Sequence, residues 1–450
     1  MREGDELLAI AEGVAAQART GEQVECFVGR SLTTSVKAFG GEVESFTSAE
    51  TWGVGVRVIV DHRQGFSSAG SLDPDVVAEA LADARDNAEF AEPDEWLGLA
   101  DPDGVEPPEV PGLFRPGLAA FTTDRKVEAA LELERAVRAG DDRITGVRTA
   151  AYGDWSGEAA VATSTGLALW SAATSAHLSV TALAADGEAT QVGGGVDVAR
   201  EPDELVVARA ADDAVRRATR LLGATQAATQ RVTVVLEPRL AITLLGIAAG
   251  MLDGDRVVKG RSPFGDRRGE AIASPLVTLV DDPTDPRSLG ADSHDGEGLA
   301  TRRNVLLDGG VLRGFLHDAY TGRRSGDGST ASAVRGVRST PAPGAQALAL
   351  LPGRGTQEEI IAAVDTGIFV QSFTGLHSGV NAISGDFSVG AEGLMIRSGA
   401  LAEPVREVTI ASTVQRLLLD ISAVGADVEW LPGGAAAVTI AIPDVQLSGS

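Results

Sequence analysis

The first half of the chain runs through one plan twice, and this doubling restricts its architecture more than any other feature. Asp5 to Ala16 places Leu7, Leu8, Ile10, Ala11 and Val14 at helical spacing. Strand-like runs follow at Val24 to Val28, Thr33 to Phe39, Val43 to Phe46 and Gly53 to Val60, with Gly40-Gly41 as a hairpin turn. Ser71 to Ala91 then reads as a capped helix opened by Asp73-Pro74-Asp75. An acidic stretch from Glu92 to Pro116, broken by six prolines, reads as a linker or a long surface crossing. Beyond it the order returns. Arg125 to Ala139 is helical. Strand-like runs follow at Thr145 to Tyr152, Glu158 to Thr163, Leu167 to Ser171 and His177 to Ala185. Glu201 to Leu222 is a second capped helix beginning Glu201-Pro202-Asp203-Glu204. This is a weak internal repeat of helix, strands and acid-started helix.

From Arg231 the texture changes. Val232 to Leu236 is strand-like, and Pro238 opens a strongly apolar helix, Leu240 to Leu252. A Gly-rich, mostly β region follows. Asn304 to Leu316 reads as a hairpin turning at Asp308-Gly309-Gly310. Glu358 to Val364 and Val414 to Ile421 are late helices, and Ala435 to Ile442 reads as a final buried strand. The expected fold class is α+β: N-terminal helix-and-strand modules, then a large, mostly antiparallel β-rich C-terminal domain, sheet or barrel-like. The expected divisions are a module over 1–92, a linker over 93–116, a middle module over 117–225 and the C-terminal domain over 226–450.

Composition narrows the partners. A formal net charge of -26 argues against nucleic acid and anionic lipid, both polyanions. No apolar run approaches the roughly 20 residues of a membrane span. The acidic start, Met1 to Asp5, lacks the basic-then-apolar order of a signal peptide. A single cysteine, Cys26, excludes an internal disulfide framework and fits a reducing, cytoplasmic setting. Lying in an apolar run, Cys26 reads as buried and inert.

Several chemistries are missing. The chain has no G-x-x-x-x-G-K-[ST] phosphate loop and no G-x-S-x-G nucleophile elbow. Gly193-Gly194-Gly195 stands outside any Rossmann pattern and reads as a turn. The five histidines, His62, His177, His294, His317 and His377, are all more than ten residues apart. Two histidines one helical turn apart can share a zinc ion, and no such pair exists here.

Six ordered segments of the C-terminal half carry a family resemblance. They are Leu252-Asp253-Gly254-Asp255 with Lys259-Gly260, Ala273 to Asp282, Arg303 to Leu312, Gly385 to Ala391, Pro404 to Ala411 and Val424 to Asp427. Gly53-Val54-Gly55-Val56-Arg57 is a weaker N-terminal counterpart. Together they resemble the TldD/PmbA family of bacterial and archaeal peptidase subunits. The TldD branch of that family carries H-E-x-x-x-H just before its L-E-G-D-like segment, with histidines that bind zinc and a Glu placed as general base. Counting back from Leu252, those positions fall here on Leu245, Gly246 and Gly250. The family's additional cysteine ligand near the C-terminus is absent as well.

The resemblance therefore implies the other branch, PmbA or TldE: a subunit without catalytic residues or cofactor of its own, paired with a zinc-bearing TldD-type partner that cleaves or trims unfolded peptides. A homodimer in the partner's absence is compatible with it. The expected contribution is an open sheet edge that holds an extended substrate through main-chain hydrogen bonds. Candidate peptide contacts come from the polar, Gly-rich stretches: His317, Tyr320, Ser329, Thr330, Phe373, His377 and Asn381. Two alternatives stay open on the residues alone, a stand-alone metallopeptidase built from scattered histidines and carboxylates, and a peptide-binding module with no catalytic partner.

Overall fold

The computed structural model describes residues 3–187 and 189–449. Met1 and Arg2, at the head of the acidic start, lie outside the described residues. The N-terminal half consists of α1 (Glu3–Ala15), β1 (Glu22–Phe39), β2 (Glu42–Val60), β3 (Arg63–Ala69) and α2 (Pro74–Phe90). The short α3 (Gly117–Ala120) comes next, then α4 (Thr123–Ala139), β4 (Ile144–Thr163), β5 (Ala168–Asp186), β6 (Ala189–Ala199) and α5 (Val207–Thr219). Helix, three strands, helix is thus the order in both halves. The six strands form one antiparallel sheet ordered β3-β2-β1-β4-β5-β6, joined across its middle by β1 and β4.

Side-chain alternation places the helices on one face of this sheet. Val24, Cys26 and Val28 of β1 meet α1 and α2 through Leu7, Ala11, Val77 and Leu81. Val36 and Ala38, on the same face further along β1, meet α4 and α5 through Leu133, Val137 and Ala214. The helix pairs therefore cover opposite ends of the long strands. Residues between them on that face, such as Arg30 and Thr34, include polar side chains, which is why each long strand reads as two short ones in sequence. The acid-started second helix also differs from expectation. Pro202–Glu204 is a single 3-10 turn, and α5 begins only at Val207.

Gly193 to Gly195 is no turn. These glycines lie inside β6, opposite Ala182 to Val180 of β5. A Cβ on Gly193 would overlap the backbone of Ala214 and Ala218, and one on Gly195 the backbone of Ala210 and Ala214. The glycines let α5 lie directly on the strand. Gly65 does the same for α2 in β3, where a Cβ would overlap Ala84 and Ala88. Both edge strands thus solve the same packing problem with the same residue.

The C-terminal half opens with β7 (Gln230–Leu236), α6 (Pro238–Met251) and α7 (Gly254–Val258). There follow β8 (Leu279–Asp281), β9 (Asn304–Asp308), β10 (Val311–Leu312), α8 (Ala319–Ser325), β11 (Ala333–Val334), β12 (Ala342–Pro343), β13 (Leu348–Leu350) and α9 (Gln357–Ala362). The last elements are β14 (Thr366–Thr374), α10 (Leu376–Gly379), β15 (Asp386–Arg397), β16 (Ala400–Thr413), α11 (Val414–Leu419), β17 (Ala423–Val424), β18 (Glu429–Trp430), β19 (Ala436–Ala437) and β20 (Ile440–Ser448). The pairings β16-β15-β14-β7-β20 close through β20–β16 into a ring of five strands. A second sheet runs β10-β9-β8-β13-β19-β18. The β9–β10 hairpin turns at Gly309-Gly310 as expected, both glycines at positive φ. The expected single strand Ala435 to Ile442 is divided: Ala436–Ala437 joins the second sheet, and Ile440 onward joins the ring. Helix α6 packs against both, with Leu244, Leu245, Ala248 and Met251 buried in the largest core.

The second face of the N-terminal sheet receives loops of the C-terminal half. Val337 fits against Gly29, Gly53 and Gly55, where any Cβ would crowd it. Beside it, Arg57 on β2 donates to Glu25 on β1 at 3.0 and 2.7 Å and to Glu297 at 3.1 Å, all three buried. Arg335 also pairs with Glu25, and Glu297 accepts from the Ala319 backbone at 2.7 Å. The stretch over 93–116 runs along the surface: Arg323 of α8 binds the carbonyls of Trp96, Gly98 and Leu99.

Candidate functional site

The apolar helix α6 holds no metal donor where the resemblance places one. Leu245 is fully buried in the core, Gly246 is exposed and Gly250 is half-buried. Among the described residues no three His, Cys, Asp or Glu side chains are grouped to hold a metal ion. A hydrocarbon side chain and two glycines do not fit zinc, which requires nitrogen, sulfur or oxygen ligands.

Directly after α6, the segment Leu252 to Asp255 pairs with Leu316: Gly254 N donates to Leu316 O at 2.7 Å and Leu316 N to Leu252 O at 3.1 Å. Gly254 is required there, because a Cβ would overlap the His317 ring. His317 is fully buried, with Nδ1 3.2 Å from Thr321 Oγ1 and Nε2 facing Asp327 at 3.5 Å. Burial lowers its pKa, so the ring is neutral at pH 7. Thr330 Oγ1 accepts from His317 N at 2.7 Å, and Ser329 Oγ donates to His317 O at 3.3 Å. Tyr320 is in the first turn of α8 and donates to Asp94 at 2.8 Å. These four residues form one cluster, three of them bonded to one another.

Phe373, His377 and Asn381 belong to a second place. Phe373 on β14 packs edge-on against Phe387 at 5.8 Å between ring centroids. His377 on α10 is exposed. Asn381 is exposed too, and its Oδ1 accepts from Ile383 N and Ser384 N, the geometry of an Asx turn. Among the described residues no hydrogen bond or ring contact joins the two places.

A third place was not foreseen. Strand β6 ends the N-terminal sheet, and β18 ends the second C-terminal sheet. Between these two edges runs a cleft of about 830 Å³, continued by a pocket of about 420 Å³. Val198, Trp430 and Leu431 line both. The start of α6 forms part of the floor. There Glu237 pairs with Arg217 of α5, Arg217 also reaches Asp213 at 3.2 Å, and Arg239 reaches Asp213 at 2.9 Å. Burial raises the pKa of Glu237, and Arg217 opposes the rise. These residues come from segments far apart in sequence, and each alone reads as an ordinary surface charge. Only the fold brings them together.

Comparison with known proteins fits this architecture. Three family descriptions match in order: PmbA/TldA metallopeptidase domain 1 over residues 24–88, the central domain over 116–222 and the C-terminal domain over 229–449. The chain belongs to the PmbA/TldD family. It is similar to metalloprotease PmbA of Escherichia coli O157:H7, 26% identical over 444 residues covering 98% of this chain and 95% of that one. The PmbA homolog of Haemophilus influenzae is 24% identical over 94% of this chain and 91% of its own length. The crystal structure of TldE from Thermococcus kodakarensis superposes with a TM-score of 0.89 at 25% identity, covering 99% of both chains. Membership is thus of the PmbA/TldE type.

Within the family segment Leu252 to Asp255, burial pushes the Asp253 carboxyl up to about 7, with Asp255 and Asp281 adding to the rise and Arg256 opposing it. An unfolded Asp titrates near about 3.9. Between these values the native state holds a proton that the unfolded chain has released. This group therefore favours folding on the acid side, and that contribution is lost as pH rises to about 7. Asp253→Asn removes the buried charge. In urea unfolding it is expected to stabilise the protein by about 1–3 kcal/mol at pH 8 and to change little near pH 4. An equal gain at both pH values would assign the effect to shape instead of charge.

Proposed function

We propose that this protein is the non-catalytic subunit of a TldD/TldE-type zinc metallopeptidase, holding unfolded peptide while a TldD-type partner supplies the zinc and cleaves it. The observation that carries the reading is α6, which packs as a core helix and has Leu245, Gly246 and Gly250 where the zinc branch has its ligands and base. Two features add support. The cleft between β6 and β18 borders two sheet edges, and a sheet edge holds an extended chain with little regard to its sequence. The β1–β2 hairpin leaves Phe39, Val43, Phe46 and Trp52 exposed, apolar surface that suits a partner subunit. His377 and Asn381, both exposed, are proposed to touch peptide outside the cleft, and Tyr320 and Phe373 to border its path. His317, Ser329 and Thr330 would act by fixing the start of α8, which carries Tyr320.

Cleavage of one unfolded peptide tests the reading. This chain alone, a zinc-bearing TldD-type partner alone and their mixture are compared, each with and without a chelator. The expected result is cleavage only by the mixture, abolished by chelation. Chelator-sensitive cleavage by this chain alone would overturn it.

A further inference from the structure

The smaller pocket beside β6 has an electrostatic character unlike the rest of the molecule. The chain has 64 acidic and 38 basic residues, and most buried or half-buried arginines face a carboxylate, as Arg57, Arg217 and Arg335 do. Among the described residues neither the buried Arg200 nor the exposed Arg115 has a carboxylate within ion-pair distance. Arg200 follows β6 directly and is 7% exposed. Among the described residues its guanidinium donates only to the backbone carbonyls of Thr174 and Ser288, and its buried Nε has no partner. Arg115, exposed at the rim, is held in place by its backbone bond to Thr174 Oγ1 at 3.0 Å, and its side chain lies over Gly112. Both side chains line the same pocket. Burial lowers the pKa of Arg200; the charge of Asp292 opposes that, and the charge of Arg115 adds a smaller push in the same direction as burial. A third arginine, Arg287, is already held by Asp285 and lies over the Trp430 ring at 5.2 Å.

We infer that Arg115 and Arg200 form a carboxylate subsite that takes the C-terminus of an extended peptide lying along β6. Two guanidiniums outside ion-pair distance of a carboxylate match the two oxygens of a carboxylate, and they outnumber Glu204, the acidic side chain that also lines this pocket at an exposed position. Apolar walls from Val198, Leu289 and Trp430 lower the competition from water. Among the described residues β6 pairs only with β5, so its other edge is open to a third strand. With its carboxylate at Arg200, the peptide runs parallel to β6, its preceding residues passing Val198 and Val196 into the larger cleft. That cleft has the opposite sign. Seven acidic side chains and four arginines line it, and Asp212, Glu358 and Asp427 are not among the carboxylates paired to its arginines. The surplus suits the cationic side chains or the free amine of the same peptide.

This inference rests on the peptide-handling reading, and its test separates the two. An N-terminally fluorescein-labelled octapeptide of alanine and serine is titrated with the purified chain in three forms: free acid, C-terminal amide, and amide with a terminal glutamate side chain. The free acid is expected to bind about tenfold more tightly than the amide. Arg115→Gln is expected to remove that difference without weakening the amide, and it lies at an exposed position where folding is not at stake. Arg200→Gln, tested in parallel, should act alike. If the glutamate amide matches the free acid, the subsite accepts any carboxylate rather than the chain end. Equal binding of acid and plain amide, an equal loss of both in Arg115→Gln, or no binding of any form would overturn the subsite. The cleavage assay of the mixture would still judge the peptide-handling reading on its own terms.

Discussion

Replacing Arg57 with methionine is expected to destabilise the protein by about 3–5 kcal/mol, measured as a lowered urea midpoint. Arg57 lies between Glu25 and Glu297, and all three side chains are shut off from water. Burial pushes Glu25 up, but Arg57 and Arg335 more than offset it and hold it below its ordinary range. Glu297 is less fortunate. Burial carries it up to about 7, Asp295 and Asp318 add to the rise, and Arg57 is the main force against it. Removing the guanidinium leaves two desolvated carboxylates, Glu25 still paired with Arg335 and Glu297 without its ion-pair partner. The cost should show as a change in cooperativity as well, because Glu25 and Arg57 belong to the N-terminal sheet and Glu297 and Arg335 to the C-terminal loops. The Arg57→Met variant is expected to unfold in two steps where the parent unfolds in one. Adding Glu25→Gln and Glu297→Gln to Arg57→Met should recover most of the loss, since it is the unpaired charges that cost. A loss no greater than about 1 kcal/mol would mean that water enters the site.

Much of the fold is legible in the sequence because its helices are amphipathic and its turns are made by glycine. The Leu7/Ala11/Val14 stripe, the Asp73 cap of α2 and the Gly309-Gly310 turn each state their own structure. The unity of the long strands is not legible. In β1 the buried residues Val24 to Val28 and Val36 to Ala38 lie under different helix pairs, and the polar span between them looks like a loop. The family is legible from six segments, since Gly254, Gly385 and Gly390 stand where a Cβ would strike a neighbour. The cleft between β6 and β18 is not, because periodicity reports which way a side chain faces and says nothing about which distant segment it meets. Asp213, Glu237 and Glu429 each look like surface charge until α5, α6 and β18 are brought together. His317 was conspicuous for its chemistry, yet its surroundings are those of an internal post holding one loop to another.

Gly195→Val should be as damaging as the loss of Arg57, by a different route. A branched side chain in β6 is favourable by propensity alone. Here it points at the backbone of α5, with the Ala210 carbonyl and the Ala214 amide already where a Cβ would stand. The helix must move away, opening the contact made by Ala210, Ala211, Ala214 and Ala218 in the N-terminal core. The combined strain and lost packing are expected to cost about 3–5 kcal/mol in thermal or urea unfolding. Gly65→Val, against α2, should cost a similar amount because Ala84 and Ala88 stand in the same relation to it. The pair differ in one readout. Displacing α5 carries Asp213 and Arg217 out of the cleft, so Gly195→Val should weaken peptide binding even at temperatures where it stays folded. Gly65→Val lies at the opposite edge of the sheet and should leave binding intact. Equal binding losses in both variants would show general loosening and detach the cleft from peptide handling.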